Sequence, residues 1–335
     1  MFYDSKKIRS YNALFNFILG DRGFGKTFNL KKYCAEVCAN RGREFIYLRR
    51  YKTEINSNKM STFFNDLNAL NGNNDFSCKN GIFYYKEKQR IGMSLPLSTY
   101  ISNKSIVLDK VDYIIFDEFI IDTGAYHYLN KEVETFMEFY FTISRFDTKG
   151  EMRPVKVFFL ANAISSVNPY FSYFDIKIPL GFKGIKRISE EIVLEVGSNE
   201  EYISKIMNTK QGKLIAGTKY GDYAFGSNFL RDTNEFIEPK STNAKYYFTI
   251  KYMDNCYGVY IDYKANKMYI TESYDDSYKL RYSFTTEDLQ PNTLYMKKHK
   301  NDGVIRQFRY AIDNGLIRFE NQKIKAMVYE INQFF

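Results

Sequence analysis

Tryptophan is absent from this chain of 335 residues, histidine occurs twice, cysteine four times and proline six times. With only His127 and His299 available, a histidine-based catalytic triad or a His-ligated zinc site has almost no material to work with. Cys34, Cys38, Cys78 and Cys256 follow no metal-ligand spacing, and they read as reduced core thiols of a cytosolic protein. No apolar run reaches the roughly 18 residues that a membrane span requires. The amino terminus is polar and basic with no apolar leader, so the expectation is a protein neither secreted nor membrane-spanning. Internal repeats and low-complexity tails are missing as well.

The chain does carry an excess of positive charge: 48 Lys and Arg against 39 Asp and Glu, a formal net charge of +9. That balance suits a polyanionic partner. The wealth of Lys, Asn, Ile, Tyr and Phe is also what an AT-rich genome produces, so charge by itself raises the case for nucleic acid only modestly. The length allows two domains with proper cores.

Gly20-Asp21-Arg22-Gly23-Phe24-Gly25-Lys26-Thr27 is a complete phosphate-loop pattern. Leu14 to Leu19 ahead of it reads as a short buried strand. Leu30, Tyr33, Cys34, Val37 and Cys38 behind it recur at helical spacing until Gly42. Strand, glycine loop and helix aim backbone N–H groups and the positive helix end at one point, which favours a polyphosphate. Gly20, Gly23 and Gly25 let the backbone approach, Lys26 sets a cation on the β- and γ-oxygens, and Thr27 supplies a hydroxyl to magnesium.

Residues 1–197 alternate strands with helices, the pattern of a mostly parallel sheet covered on both faces. Strands are predicted at Glu44–Leu48, Val111–Phe116 and Val155–Leu160, a hairpin at Ile82–Tyr85 with Arg90–Leu95, and an amphipathic helix through Val133, Phe136, Met137, Tyr140 and Phe141. Near residue 198 the texture changes. Ser198 and Glu201 form a capping box, and Gly212, Gly217, Gly221 and Gly226 space out a linker over 198–230. From 231 to 335 a smaller α/β domain is expected. Its strands are Tyr246–Met253, Tyr257–Asp262 and Met268–Glu272, with a helix through Val304, Phe308, Ala311 and Ile312 and a last helix after Leu316–Phe319.

Ile114-Ile115-Phe116-Asp117-Glu118 ends a buried strand on two acids, about ninety residues after the loop. In phosphate-loop enzymes an aspartate there holds the magnesium shell and a neighbouring glutamate polarises the attacking water. Asp117 is therefore the metal-side acid and Glu118 the general base. No Asn-Lys-x-Asp guanine reader is present, so ATP with Mg2+ and hydrolysis are the implied chemistry. Asn162, after Val155–Leu160, reaches the same sheet edge, either as a γ-phosphate sensor or as a turn residue. Arg22 can fork to phosphate oxygens from within the loop. Arg145 is the candidate arginine finger towards a neighbouring subunit, with Arg153 as its rival.

Four blocks together carry a likeness to a known family: Phe-Ile-Leu-Gly-Asp-Arg-Gly-Phe-Gly-Lys-Thr, Phe-Ile-Tyr-Leu-Arg-Arg-Tyr-Lys (45–52), Ile-Ile-Phe-Asp-Glu-Phe (114–119) and Ala-Asn-Ala-Ile-Ser-Ser-Val-Asn-Pro-Tyr-Phe (161–171). The chain resembles the DNA-packaging motor ATPases of small tailed phages, phi29 type. The likeness continues through Gly-Val-Tyr-Ile-Asp (258–262) and Asn-Gly-Leu-Ile-Arg-Phe-Glu-Asn (314–321). It implies an additional-strand, conserved-glutamate (ASCE) P-loop ATPase domain, a linker and an RNase H-like carboxy-terminal domain. It further implies a homopentameric ring at the portal vertex of a procapsid in the host cytoplasm, threading double-stranded DNA inward, with a structural RNA on the procapsid contributing to docking. Carried over by position, Lys26 and Thr27 bind nucleotide, Asp117 holds magnesium, Glu118 activates water and an arginine near 145 acts in trans. The stretch Ser144-Arg145-Phe146-Asp147 has one arginine where the family has more.

Arg49, Arg50, Lys52 and Lys59 follow the second strand, and spaced cations of this kind suit phosphate tracking without base readout. An ordinary solvated basic surface is the competing reading, and Lys52 and Lys59 are the preferred grips. Asp262 ends a strand at the place of a first nuclease aspartate. Its conceivable partners Glu272, Asp313 and Glu320 have no diagnostic spacing, so a degenerate nuclease domain used for docking is expected. The alternatives are a terminase that also cuts DNA, a helicase or remodelling ATPase, and a nucleotide-dependent assembly protein.

Overall fold

The computed structural model describes residues 3–99, 108–121, 128–146, 150–162, 168–179, 182–197, 200–215, 218 and 236–331. It divides into two compact units, Met1–Leu230 and Arg231–Phe335.

In the first unit the described elements follow in the order α1 (Lys6–Arg9), β1 (Phe15–Gly20), α2 (Lys26–Arg41), β2 (Glu44–Arg49), α3 (Ser57–Ser61), α4 (Asn65–Asn71), β3 (Phe76–Lys79), β4 (Ile82–Tyr85), β5 (Gln89–Pro96), β6 (Val111–Asp117), α5 (Glu132–Ile143), β7 (Lys156–Asn162), α6 (Pro169–Tyr173), β8 (Gly184–Arg187), β9 (Ile192–Gly197), α7 (Glu200–Met207) and α8 (Lys210–Ile215). The strands form one nine-stranded sheet in the order β3-β4-β5-β2-β6-β7-β1-β9-β8. From β5 to β9 every neighbouring pair is parallel, while β3, β4 and β8 join antiparallel at the two edges.

Burial explains the parallel core. All six residues of β1 are buried, as expected of a strand covered on both faces. Alternate residues serve two clusters: Phe15, Phe17 and Leu19 pack with Phe136, Phe159 and Tyr170, whereas Ile18 packs with Leu30, Cys34 and Cys38 of α2. Cys34 and Cys38 are thus buried free thiols on the inner face of α2, as their spacing suggested. The strand order puts β7 between β1 and β6, so the phosphate-loop strand and the acidic strand end side by side at one sheet edge with Asn162 between them.

In the second unit β10 (Lys245–Tyr252), β11 (Asn255–Asp262) and β12 (Lys267–Thr271) form an antiparallel meander. β13 (Arg281–Ser283) and β14 (Leu294–Tyr295) add in parallel beside β10, and β15 (Ile317–Phe319) adds in parallel beside β12. Helices Gly303–Asp313 and Gln322–Ile331 press Ile305, Phe308, Ile324 and Val328 onto Phe248, Ile250 and Val259.

Gly212, taken for part of a glycine-spaced linker, lies inside α8. Ser198, Gly217, Gly221, Gly226, His127 and Asp147 lie outside the described residues.

Candidate nucleotide site

The loop between β1 and α2 takes its shape from its glycines. Gly23 and Gly25 have φ of 79° and 90°, values that a residue without Cβ adopts freely. At Gly20 the constraint is space: a Cβ there would lie 2.7 Å from the Gly197 carbonyl oxygen and 2.7 Å from the Phe24 ring. Lys26 opens α2 and turns back beneath the loop. Its Nζ donates to the carbonyls of Gly20 at 2.9 Å and Asp21 at 3.0 Å, and lies 3.4 Å from Asn162 Oδ1.

Lys26 is only 7 % exposed, and burial pulls its pKa down to about 8 against the opposing charges of Asp117, Asp21 and Glu118. This depression has a measurable sign. Above pH 8 the free ammonium is partly neutral, and a polyphosphate beside it restores the charge, so ligand binding takes up a proton. Calorimetry of nucleoside-triphosphate binding near pH 8.5, in two buffers of different ionisation heat, is expected to show this uptake, with affinity falling as pH rises further. Proton release would contradict the placement of Lys26 against phosphate.

Asp117 closes β6 and gathers donors from three elements. Thr27 Oγ1 lies 3.1 and 3.3 Å from its two oxygens, the Tyr47 hydroxyl donates at 2.8 Å, and the Glu118 N–H donates at 3.1 Å. The hydroxyl of Thr27 and the carboxylate of Asp117 are hard oxygen donors, the kind magnesium takes alongside substrate phosphates. The residues present therefore fit that ion.

Glu118 has a φ of 56°, a left-handed backbone that costs an L-residue about 1–2 kcal/mol. The strained turn lifts its side chain out of the sheet edge to 62 % exposure, where Oε2 accepts from Arg49 Nη2 at 2.6 Å. Arg49 is held in turn by Glu54 at 2.7 Å and stands 3.8 Å from Asp117. Beside them lies a cavity of about 480 Å³ whose lining includes Arg22, Lys26, Thr27, Arg50, Asp117, Glu118 and Asn162, with Arg49 behind the acids rather than on the wall. That volume falls within the range of ordinary ligand pockets.

The phosphate loop, both acids, Asn162 and Arg22 are thus brought together as expected. The basic run is not. Arg50 is 3 % exposed: its guanidinium pairs with Glu132 at 2.7 and 2.9 Å and caps the carbonyls of Glu118 and Phe119 at 3.2 and 2.7 Å. Arg49 is spent on the acids of the cavity. Neither is presented to a DNA backbone in this structure, because each has found a carboxylate that sequence spacing does not reveal. Lys52 and Lys59 are exposed on the segment that follows, with Lys59 Nζ donating to the Thr53 carbonyl at 3.0 Å.

Of the two rival arginines, Arg153 donates to the carbonyls of Leu108, Asp109 and Val111, so it braces the turn before β6. Arg145 is exposed at the end of α5. In the second unit Asp262 is 3 % exposed, and its Oδ1 accepts from the backbone N–H groups of Lys264 and Ala265, each at 3.0 Å. That is a turn-capping role in the β11–β12 hairpin. Glu272 and Glu320 meet each other through a backbone bond rather than around a metal position, the Glu272 N–H donating to Glu320 Oε2 at 2.8 Å.

Sequence reasoning missed Tyr47, Glu54 and Glu132. None of the three had a local signal: residues 45, 47 and 49 of β2 share a face, but that β6 presents Asp117 to the same face follows only from the sheet order.

Comparison with known proteins agrees with the geometry. The sequence profile of the podovirus DNA encapsidation protein (Gp16) matches residues 1–334. The DNA packaging protein of Bacillus phage phi29 is 34 % identical over 331 residues, covering 99 % of this chain and 97 % of the relative. A structure of the phage phi29 viral genome packaging motor assembly superposes with a TM-score of 0.68 at 33 % identity, covering 99 % of both chains. The crystal structure of the amino-terminal domain of the phi29 DNA packaging ATPase aligns with a TM-score of 0.52 at 33 % identity, covering 58 % of this chain and 96 % of that one.

Proposed function

The chain belongs to the family of podovirus DNA encapsidation proteins, and from that premise we propose that it is an ATP-driven motor that moves double-stranded viral DNA into a procapsid. The observation that carries the reading is the meeting of phosphate loop, Thr27–Asp117 pair and Glu118 around one cavity. ATP is the substrate. Its phosphates lie along the loop N–H groups and Lys26, with Arg22 at the rim. Thr27 and Asp117 would hold Mg2+, which would supply positive charge to neutralise the phosphates. Glu118 takes the proton of the attacking water, and the amide of Asn162, 3.4 Å from Lys26 Nζ, senses the terminal phosphate.

Glu118 can act only after its bond to Arg49 yields, because a carboxylate engaged by a guanidinium at 2.6 Å is a poor proton acceptor. Arg49 thereby holds hydrolysis back until the segment that follows it shifts. Lys52 and Lys59, exposed on that segment, contact DNA phosphates. Arg145 reaches the terminal phosphate of the neighbouring subunit in a homopentameric ring. The ring works in the host cytoplasm at the portal vertex, with a structural RNA among its docking partners. The second unit is an RNase H-like domain without nuclease action, a reading supported by the commitment of Asp262 to its own hairpin.

The decisive experiment is ATP-dependent uptake of DNA into purified procapsids with and without this protein; uptake that does not require it would overturn the proposal. A second measurement addresses the DNA contacts. If each engaged subunit neutralises two phosphates, raising salt from about 50 to about 200 mM should weaken DNA stimulation of hydrolysis about tenfold, and replacing Lys52 and Lys59 together by Ala should remove most of that salt dependence. A DNA response indifferent to salt would assign the contact elsewhere.

A further inference from the structure

Tyr47, in the middle of β2, donates its phenol hydrogen to Asp117 Oδ2 at 2.8 Å, the shortest hydrogen bond at that carboxylate. The other neighbours of Asp117 have competing duties. Thr27 is the group that must present its oxygen to a metal ion. Arg49 stands 3.8 Å away and is occupied by Glu118 at 2.6 Å and Glu54 at 2.7 Å. The bond from the Glu118 N–H belongs to the adjoining backbone. Tyr47 is the donor whose placement depends on neither nucleotide nor water, since it is only 8 % exposed.

Its ring is fixed by packing. It lies 4.7 Å from the ring of Phe63 at 55°, and Phe63 stacks on Phe83 at 4.9 Å and 7°. The carbonyl of Phe63 accepts from Lys31 Nζ at 2.6 Å, and Lys31 sits one helical turn beyond Thr27 on α2. A phenylalanine at position 47 would fill the same space. A hydroxyl buried there without a partner would cost about 1–3 kcal/mol, so what distinguishes tyrosine is the bond its oxygen makes. A phenol is an uncharged donor at neutral pH. A neutral donor orients a carboxylate without cancelling the charge that a cation needs.

We propose that Tyr47 is a positioning residue for the metal-side carboxylate: its phenol holds Asp117 in the orientation that receives a divalent cation together with Thr27, and so sets how strongly magnesium supports ATP binding. The proposal rests on the ATPase reading above. Hydrogen-bond partners behind a metal ligand are generally worth about 10- to 100-fold in metal affinity or activity.

The test uses the full chain and a fluorescent ATP analogue, titrated with magnesium and, separately, in chelator. Tyr47→Phe is expected to leave analogue binding in chelator unchanged within about twofold while raising the magnesium concentration for half-maximal effect about tenfold. Phe63→Leu, which loosens the packing but keeps the phenol, is expected to lower the melting temperature with the magnesium response intact. The proposal is overturned if Tyr47→Phe responds to magnesium as the wild type does, if it weakens binding equally with and without the metal, or if Phe63→Leu shifts the magnesium response as much. A wild-type protein whose analogue binding ignores magnesium would instead sink the ATPase reading itself.

Discussion

Glu118→Gln is expected to keep ATP bound and to stop its turnover, with a loss of about 10²- to 10⁴-fold in rate at nearly unchanged nucleotide affinity. The substitution preserves volume and leaves an amide oxygen that can still face Arg49, so the loop, Lys26 and the Thr27–Asp117 pair have no reason to move. What disappears is the carboxylate able to take a proton from water. The left-handed backbone at this position argues for the same role: its cost of about 1–2 kcal/mol is repaid by nothing in the packing, since the side chain is 62 % exposed. Single-turnover hydrolysis and equilibrium binding of ATP, measured on the same preparation, separate the two effects. Turnover within about tenfold of wild type would remove Glu118 from the chemistry, and an equal loss of binding would mean that the substitution had disturbed the pocket.

The parts of this site that sequence could show are those whose chemistry is local. The eight residues from Gly20 to Thr27 carry their own strand, turn and helix start, and the acids at 117 and 118 follow five buried strand residues, so both were legible without knowledge of the sheet. What brings them together is not local. β6 and β1 are separated by β7, a strand that comes later in the chain than either, and only the sheet order shows that all three end at one edge. Short strands escaped for a related reason. β13 and β14 have three and two residues, too few for a period to register, and they exist because a longer neighbour offers an edge to pair with. At Asp262 the strand end carries a carboxylate whose use by its own hairpin, as a turn cap, spacing alone does not show.

Arg49 and Arg50 are adjacent in sequence and go to different partners in space. Side chains of successive residues at a strand end point to opposite faces. Arg49 therefore meets Asp117 and Glu118, while Arg50 goes to the other side and meets Glu132 of α5, 82 residues further on. The Arg50 and Glu132 side chains are 3 % and 1 % exposed, and Tyr170 adds a hydrogen bond to the same carboxylate at 2.9 Å. Removing one member of a buried, bonded ion pair costs about 3–5 kcal/mol, because the partner keeps its charge and loses its compensation. Arg50→Ala should consequently lower the melting temperature by roughly 6–20 °C, at about 2–4 °C per kcal/mol for a unit of this size.

Glu132→Ala should do the same. Arg50→Met combined with Glu132→Met should recover part of the loss, and only part, since Tyr170, the Leu129 N–H and the Phe119 carbonyl stay unpartnered. Turnover should fall along with stability, because the guanidinium also caps the carbonyls of Glu118 and Phe119 and so braces the strained turn that presents the proposed base. A DNA-gripping arginine would behave in the reverse way: Arg50→Ala would melt like wild type and lose affinity for DNA in proportion to salt. Thermal unfolding and a salt titration of DNA stimulation on this one variant decide between an arginine that touches DNA and one that holds the catalytic turn in place.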